Sequence, residues 1–199
     1  MSTRGAGLLP FLLLLALAGC GGAEQREPAA PDTAQAVPGT LQLRRVALSP
    51  SDPPGSAPAT DAVPEEWLAR SRAFTCPAIP TTPSVAGPGD YALVCDREAG
   101  PYLLAPAAWE GRVQSAVAEV PDRDVQWVVV VDLDAEATAV LADLSTELAG
   151  TGSQLAVVLD GELVSAPVMN APVVDGQVQL VGGYTEKDAK ELADRLNGR

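Results

Sequence analysis

Apolar residues recur along the chain with two different periods, and these periods predict both strands and helices. Short alternating or continuous apolar runs predict strands, whereas apolar residues three and four apart predict helices. The strand predictions are residues 41–48, 91–95, 102–105, 113–120, 126–132, 155–159, 162–168 and 178–181. The helix predictions are residues 65–74, a stripe that follows Asp134 and ends at Gly150, and a last helix that begins after Thr185.

Two Asp-Gly pairs predict how the later strands are connected. Asp160-Gly161 stands between two apolar runs, which is typical of a tight β-hairpin. Asp175-Gly176 repeats the pattern, so we expect a second hairpin between residues 173–174 and 178–181. The order of elements predicts an α+β fold, mainly antiparallel β-sheet with two helices packed on one face.

The first residues predict an export signal rather than part of the fold. Residues 1–20 contain Arg4, an apolar segment and the sequence Leu17-Ala18-Gly19-Cys20, which is typical of a bacterial lipoprotein signal peptide. The apolar segment is too short to span a hydrocarbon core of about 30 Å. We expect cleavage before Cys20 and lipidation of that residue with acyl chains such as palmitate. An ordinary secretory signal is the alternative.

The sequence beyond the signal divides into three parts. Residues 21–40 are rich in Ala and Pro and predict a disordered tether. Residues 41–64 combine a strand with a Pro-rich loop, and residues 65–199 predict the folded domain. The mature chain is therefore expected at the extracytoplasmic face of the cell membrane, attached to the membrane through its lipid anchor.

Charge and composition exclude several classes of function. The chain has 13 Lys and Arg residues against 26 Asp and Glu residues, for a formal charge of −13, and it contains no His. An acidic surface disfavours nucleic-acid binding, because phosphate backbones are held by clustered Lys and Arg. Without His there is no Ser-His-Asp or Cys-His nucleophilic site. No phosphate-binding, nucleophile-elbow or dinucleotide motif is present either, so we expect no enzyme activity and no cofactor.

Cys76 and Cys95 remain after the lipidation cysteine is set aside. A disulfide between them is the simplest interpretation, because exported proteins meet an oxidising environment and the remaining count is even. A zinc site would need carboxylates to complete its ligands, and no C-x-x-C redox pair is present. We expect no bound metal.

The last hundred residues resemble a known family. The resemblance rests on residues 155–168 (LAVVLDGELVSAPV), on the segments 102–106 and 127–129, and on Tyr184-Thr185 with the helix after it. These are similar to the head subdomain of the first periplasmic domain, P1, of SecD, the protein-export component of SecDF. Residues 41–48 and the two cysteines are similar to the actinobacterial branch of that family.

The resemblance implies a rigid head that contacts emerging polypeptide, here displayed on a lipid tether as a stand-alone lipoprotein. The membrane helices that couple proton flow to export in SecD are not in this sequence, so that step is not implied. We take Met169, Asn170 and Tyr184 as the candidate binding surface. The expected partners are exported polypeptides or components of the Sec translocon. The alternative is an envelope sensor or structural accessory lipoprotein that uses the head as a scaffold.

Two further side-chain groups have a chemical and a structural interpretation. Asp132 and Asp134 resemble a carboxylate pair for metal or acid–base chemistry, but a strand end that leads into a helix explains them as capping groups. Ser165 stands out in the motif, yet nothing near it in the sequence would activate its hydroxyl.

Overall fold

A computed structural model describes residues 39–52, 59, 63–77, 86–96, 98–122 and 124–199. The predicted signal peptide, the lipidation site Cys20, and the tether up to residue 38 lie outside the described residues. Within the described part of the chain, no helix combines the length and the apolar character needed to cross a membrane.

The described residues form strands and helices in an interleaved order. The strands are β1 Leu41–Leu48, β2 Ala92–Asp96, β3 Gly100–Gly111, β4 Ser115–Glu119, β5 Trp127–Asp132, β6 Leu155–Leu159, β7 Glu162–Ser165 and β8 Gln177–Tyr184. The helices are α1 Glu65–Ala73, α2 Ala135–Leu148 and α3 Glu186–Leu196.

The strands divide between two antiparallel sheets. One sheet has five strands in the order β2-β3-β1-β6-β7, and the other has three strands in the order β4-β5-β8. Each paired strand in both sheets runs antiparallel to its neighbour. The fold is therefore α+β and mainly antiparallel. The apolar pattern alone did not indicate that the strands separate into two sheets.

One large apolar core joins the two sheets and two of the helices. The five-stranded sheet contributes residues such as Leu43 and Val157, and the three-stranded sheet contributes Val129 and Leu180. The buried stripes of α2 and α3 enter the same core; they consist of Ala137, Leu141, Leu144, Leu148, Ala189, Leu192, Ala193 and Leu196. Burial of this shared apolar surface is the main stabilising contribution to the fold.

A second apolar cluster lies on the opposite face of the five-stranded sheet. It includes Val46, Leu104 and Val158, which are almost fully buried. Cα atoms of the two edge strands, β2 and β7, come within 8 Å of each other. The sheet therefore curls around its second cluster, which explains why this face is buried although neither α2 nor α3 contributes a residue to it.

The first predicted hairpin is present between β6 and β7. Asp160 and Gly161 both have positive φ, 52° and 83°, as a type I′ turn requires. Asp160 also fixes the start of the described chain, since its Oδ1 accepts hydrogen bonds from the backbone N–H of Gly39 at 2.9 Å and of Thr40 at 3.0 Å. The turn therefore connects β6 to β7 and also fastens the residues that precede β1.

The second predicted hairpin was wrong. Gly176 does adopt positive φ, 72°, but β8 pairs with β5 rather than with residues 173–174. Val173 lies instead against α2, where its N–H donates to the Oγ of Ser145 at 2.8 Å. Hydrogen bonding to this buried helix residue takes the place of strand pairing.

The predicted helix starts are present as specific caps. Asp134 Oδ1 accepts a hydrogen bond from the N–H of Ala137 at 2.8 Å, which caps α2. Thr185 and Asp188 form the capping box of α3: each side chain accepts a hydrogen bond from the other residue's N–H, at 3.2 Å in both directions. Asp134 therefore has the structural role that its position before a helix predicts.

Candidate functional site

The three-stranded sheet has one buried face and one that is partly open to solvent, although Val128 of β5 on that second face is only 2% exposed. Val129 and Leu180 of its inner face are at most 1% exposed, whereas Val117 of β4 and Val181 of β8 are each 53% exposed. The buried apolar residues of α2 and α3 all belong to the shared core, and α1 has no buried residue. Among the described helices, none buries its apolar stripe on the outer face of this sheet.

The strands of this sheet are acidic. Their sequences contain Glu119 and Asp132 but no Lys or Arg. Asp132 is held by the two flanking strands, because Gln177 Nε2 donates to it at 3.0 Å and Ser115 Oγ at 2.8 Å. These two hydrogen bonds, with the larger contribution from Gln177, lower the pKa of Asp132 below its ordinary value.

Asp132 and Asp134 do not form a joint site. Asp132 is bonded across the sheet, whereas Asp134 caps a helix. Throughout the part of the chain that the structure describes, no three His, Cys, Asp or Glu residues are placed to hold a metal ion. The hydrogen bonds of the two carboxylates support the structural interpretation for both.

The free edge of β4 is partly occupied by a side-chain amide. Asn197, at the end of α3, accepts a hydrogen bond from the N–H of Ala116 through Oδ1 at 3.1 Å, and its Nδ2 donates to the C=O of Ala116 at 2.9 Å. One side-chain amide thus reproduces both bonds that a residue of an adjacent strand would make. The same Nδ2 also donates to the C=O of Ala193 at 2.7 Å, which joins the end of the helix to the edge of the sheet.

As far as the structure describes the chain, no strand pairs with the edge of β4 beyond Asn197. Neighbouring residues of a strand direct their backbone groups to alternate sides, so Ala118 faces the same edge as Ala116. No hydrogen bond from the backbone of Ala118 to an element outside the sheet is found among the described residues. On the other side of the sheet, the C=O of Gly176 accepts a hydrogen bond from the N–H of Leu133, so Gly176 faces β5. By the same alternation, Gln179 of β8 faces away from β5.

The three residues of the predicted binding surface are not adjacent. Met169 exchanges backbone hydrogen bonds with Ser153 and Gly150, before β6 begins, and Asn170 next to it is exposed. Tyr184 lies at the other end of the β6–β7 hairpin, near Glu162. A five-residue strand separates the two places by about 16 Å at roughly 3.3 Å per residue. Tyr184 therefore belongs to a different surface from Met169 and Asn170.

Tyr184 is a half-buried residue at the end of β8. It pairs with Trp127 of β5 and packs against the shared core. Burial, together with the negative charge of Glu162, raises the pKa of its phenol above the ordinary value. Its ring also lies against Gly182, where an added Cβ would come within 2.7 Å of the ring. These contacts give Tyr184 a packing role in addition to any role on the surface.

The two cysteines predicted to form a disulfide are joined in the structure. Cys76 and Cys95 have Cα atoms 5.8 Å apart, and the bond links the segment after α1 to the edge strand β2. The ring of Trp67 on α1 lies 5.8 Å from that of Tyr91, with Arg70 over the Trp67 ring. Because α1 has no buried residue, this aromatic contact and the disulfide are its main attachments.

Arg44 is an important residue that the sequence reasoning missed. It is fully buried in β1, on the face that carries the second apolar cluster. Its Nε donates to Gln42 Oε1, and its two terminal nitrogens donate to backbone carbonyls; the carbonyl acceptors are those of Ala86, Gly87, Asp90 and Ala105. Burial lowers the pKa of Arg44, while the carboxylates of Glu110 and Asp90 oppose that shift.

These bonds give Arg44 a structural role. The guanidinium fastens the segment at residues 86–90 onto β1 and β3, and its N–H groups are turned to carbonyls inside the protein. The available signal was a charged residue within the apolar segment 41–48. That signal could not identify the carbonyls, because they come from distant parts of the chain.

A protein-family comparison matches most of the described domain. The family model described as SecDF, P1 head subdomain, matches residues 92–198. Protein translocase subunit SecD of Synechocystis sp. is 36% identical over 77 residues, a match that covers 36% of this chain and 16% of the relative. The same subunit of Mycobacterium tuberculosis is 33% identical over 99 residues, covering 48% and 17%. The matched segments thus span about a sixth of the length of these curated relatives.

Solved structures of SecDF also align with the chain. The crystal structure of SecDF in its super-membrane-facing form is 20% identical with a TM-score of 0.48, covering 81% of this chain and 19% of that one. A structure of SecDF described as a membrane component that enhances protein export is 21% identical with a TM-score of 0.48, covering 81% and 63%.

Proposed function

Because the chain belongs to the SecDF P1 head subdomain family, we propose that it is a non-catalytic polypeptide-binding module that assists protein export. The relatives that support this proposal are SecD subunits of the protein translocase. The module is anchored to the extracytoplasmic face of the cell membrane by lipid on Cys20. Its partners are exported polypeptides or components of the Sec translocon.

The observation that carries the proposal is the open three-stranded sheet. A polypeptide that has not yet folded offers unpaired backbone groups and apolar side chains. An open sheet edge can pair with such backbone groups, and an exposed apolar face can contact such side chains. Val117 and Val181 provide exposed apolar surface beside the two free edges. The five-stranded sheet lacks this combination, because both of its faces carry buried clusters.

The absence of catalysis in this proposal rests on what the side chains do. Asp132 is held by hydrogen bonds within the sheet, Asp134 caps α2, and Asp160 fixes the backbone before β1. A gap between the two sheets is apolar and measures about 10 Å³, the space of one water molecule; it is lined by Leu41, Leu43, Val131, Leu133, Val157, Val178 and Leu180. That gap is too small for a substrate.

Photocrosslinking in cells tests the proposal. A photoreactive residue is placed at Val117, Val181, Asn170 or Tyr184, and at Glu66 on the exposed surface of α1 as the control. The crosslinked partners are then identified by mass spectrometry. We expect nascent exported chains or translocon subunits to be captured from positions 117 and 181, and little capture from position 66.

The result also decides between the export function and the alternative function. Capture of envelope enzymes or wall-associated proteins alone would favour a sensor or structural accessory that uses the head as a scaffold, and the export proposal would fall.

Replacing Cys20 by Ser tests the anchor separately. We expect the variant to leave the membrane fraction, whereas a variant that remains there would contradict lipidation at this residue.

A further inference from the structure

The free edge of β4 already holds an amide in the geometry of strand pairing. Asn197 makes one accepting and one donating hydrogen bond with the two backbone groups of Ala116. This is the pattern that a residue of an added antiparallel strand would make at that position. The edge can therefore bind a peptide group at Ala116, and the side-chain amide of Asn197 occupies that place.

The next position along the edge has no strand partner in the part of the chain that the structure describes. Ala118 directs its N–H and C=O to the same side as Ala116, two residues further along β4. The exposed side chains of Val117 and Val120, 53% and 41% exposed, lie beside it. An extended segment that pairs with Ala118 would extend the sheet and cover this apolar surface.

The charge around this edge indicates the chemistry of the occupant. Glu119 ends β4, and Asp122 and Asp124 follow it in the exposed connection to β5. Arg123 is the one cation between them in the sequence, Arg112 lies beyond the other end of β4, and the whole chain carries a formal charge of −13. An acidic segment would be repelled here, whereas Lys or Arg side chains on an added strand would meet opposite charge across the strand.

We propose that the free edge of β4 binds an extended, cationic polypeptide segment as an added strand, and that Asn197 is a plug which the segment displaces from Ala116. This inference rests on the proposed function, since it names the place and the chemical character of the bound polypeptide. The plug shields the edge from pairing with other copies when no segment is bound. Displacement opens a second backbone position and lengthens the paired region.

A pair of proline variants tests which edge is used. Ala118→Pro removes the N–H that faces the free edge of β4, and Gln179→Pro does the same on β8. Proline is tolerated on an edge strand where the N–H faces solvent, so both variants should fold. Binding is measured with the full chain in detergent by fluorescence anisotropy, using a short labelled peptide in which Lys alternates with Val.

We expect Ala118→Pro to weaken binding of the Lys–Val peptide about tenfold or more, since a strand pair and its hydrogen bonds are lost. Gln179→Pro should change the affinity by less than about twofold. A peptide in which Glu alternates with Val should bind about tenfold more weakly than the Lys–Val peptide. Thermal unfolding followed by circular dichroism checks that each variant is folded.

The Asn197→Ala variant tests the plug. Because it frees both backbone groups of Ala116, the Lys–Val peptide should bind about tenfold more tightly. Unchanged or weaker binding by a folded Asn197→Ala variant would overturn the plug. If Ala118→Pro itself fails to fold, Val117→Lys, which places a cation beside the bound Lys side chains, should weaken binding of the same peptide.

The outcomes separate this inference from the proposed function. Three results would overturn the β4 site. They are loss of binding only in Gln179→Pro, equal binding by both proline variants, and no binding of the peptide by the protein without substitutions. In-cell crosslinks to exported chains would in each case leave the proposed function standing. Peptide binding at β4 without any crosslink to exported chains would support the site and contradict the export function.

Discussion

The two sheets of this protein differ in how much of their surface is available to another molecule. The five-stranded sheet has buried apolar clusters on both faces, and its edge strands approach each other as the sheet curls. Within the described ranges, the three-stranded sheet has exposed residues on its outer face, and its edge strands β4 and β8 have no further strand beside them. The first sheet therefore serves as a rigid scaffold, and the second provides the surface on which binding is proposed.

The difference is also visible in the residues that stabilise each sheet. The scaffold contains a buried arginine, a disulfide and a hairpin turn that fastens the two residues before β1. In the three-stranded sheet, α3 packs against the inner face through the shared core, and Asn197 is hydrogen-bonded to the edge of β4. A protein that must expose strand edges without losing its fold can do so when a separate, closed sheet supplies much of its stability.

The largest expected effect comes from Arg44 in the scaffold. Arg44→Met leaves several buried carbonyls without a donor, so we expect the free energy of unfolding to fall by about 3–5 kcal/mol. Arg45→Met is the matched control, because Arg45 is half-buried and pairs with the exposed Glu147. Its cost should stay below about 1 kcal/mol. Urea unfolding measures both, and equal losses would contradict the structural role of Arg44.

The disulfide should have the next largest effect. Replacing Cys76 and Cys95 together by Ser removes a constraint between residues 19 apart in sequence. The chain-entropy argument gives a loss of about 3 kcal/mol. The reduced unchanged protein is the control and should unfold like the variant.

Peptide binding provides a second readout for the disulfide variant. If the five-stranded sheet supplies stability and the three-stranded sheet supplies binding, the disulfide variant should keep its affinity for the Lys–Val peptide at temperatures where it is folded. A parallel loss of binding and stability would show that the two sheets cannot be treated separately.

Within the three-stranded sheet, the same substitution should have different effects on its two faces. Val129→Thr buries a hydroxyl on the inner face and should cost about 1–3 kcal/mol. Val117→Thr changes a residue that is 53% exposed and should alter stability by less than about 0.5 kcal/mol. Chemical denaturation measures both. A large loss for Val117→Thr would mean that the outer face is covered rather than open.

The smallest expected effect is the pH dependence due to Asp132. The hydrogen bonds from Gln177 and Ser115 lower its pKa in the folded state, so they stabilise the protein above the ordinary Asp pKa. This stabilisation is lost as the pH falls through the lowered pKa. Gln177→Ala should therefore destabilise the protein slightly at neutral pH and much less in strong acid. A difference that persisted unchanged into strong acid would contradict this assignment.

Local sequence signals predicted the parts of the fold that depend on neighbouring residues. Asp160-Gly161 predicted its hairpin because both positions of a type I′ turn favour these residues. Asp134 and the pair Thr185 and Asp188 predicted helix starts because capping acts over three residues. Asp175-Gly176 carried the same local signal and failed, since a hydrogen bond from Val173 to the Oγ of Ser145 competed with strand pairing.

The features that depend on distant residues could not be read from the sequence. Asn197 and Ala116 are 81 residues apart, and Arg44 reaches a carbonyl 61 residues away in Ala105. A periodic pattern predicts which residues are buried but not which strand, loop or helix covers them. Met169, Asn170 and Tyr184 stand close in the sequence, yet the β6–β7 hairpin separates them.

Amide hydrogen exchange measured by mass spectrometry, with and without the Lys–Val peptide, tests the central claim most directly. We predict that bound peptide slows exchange in residues 115–120 of the full chain and leaves β1 and β6 unchanged, since only an open edge can gain a pairing partner. Protection confined to the five-stranded sheet, with no change in β4, would contradict the claim that the three-stranded sheet binds the polypeptide.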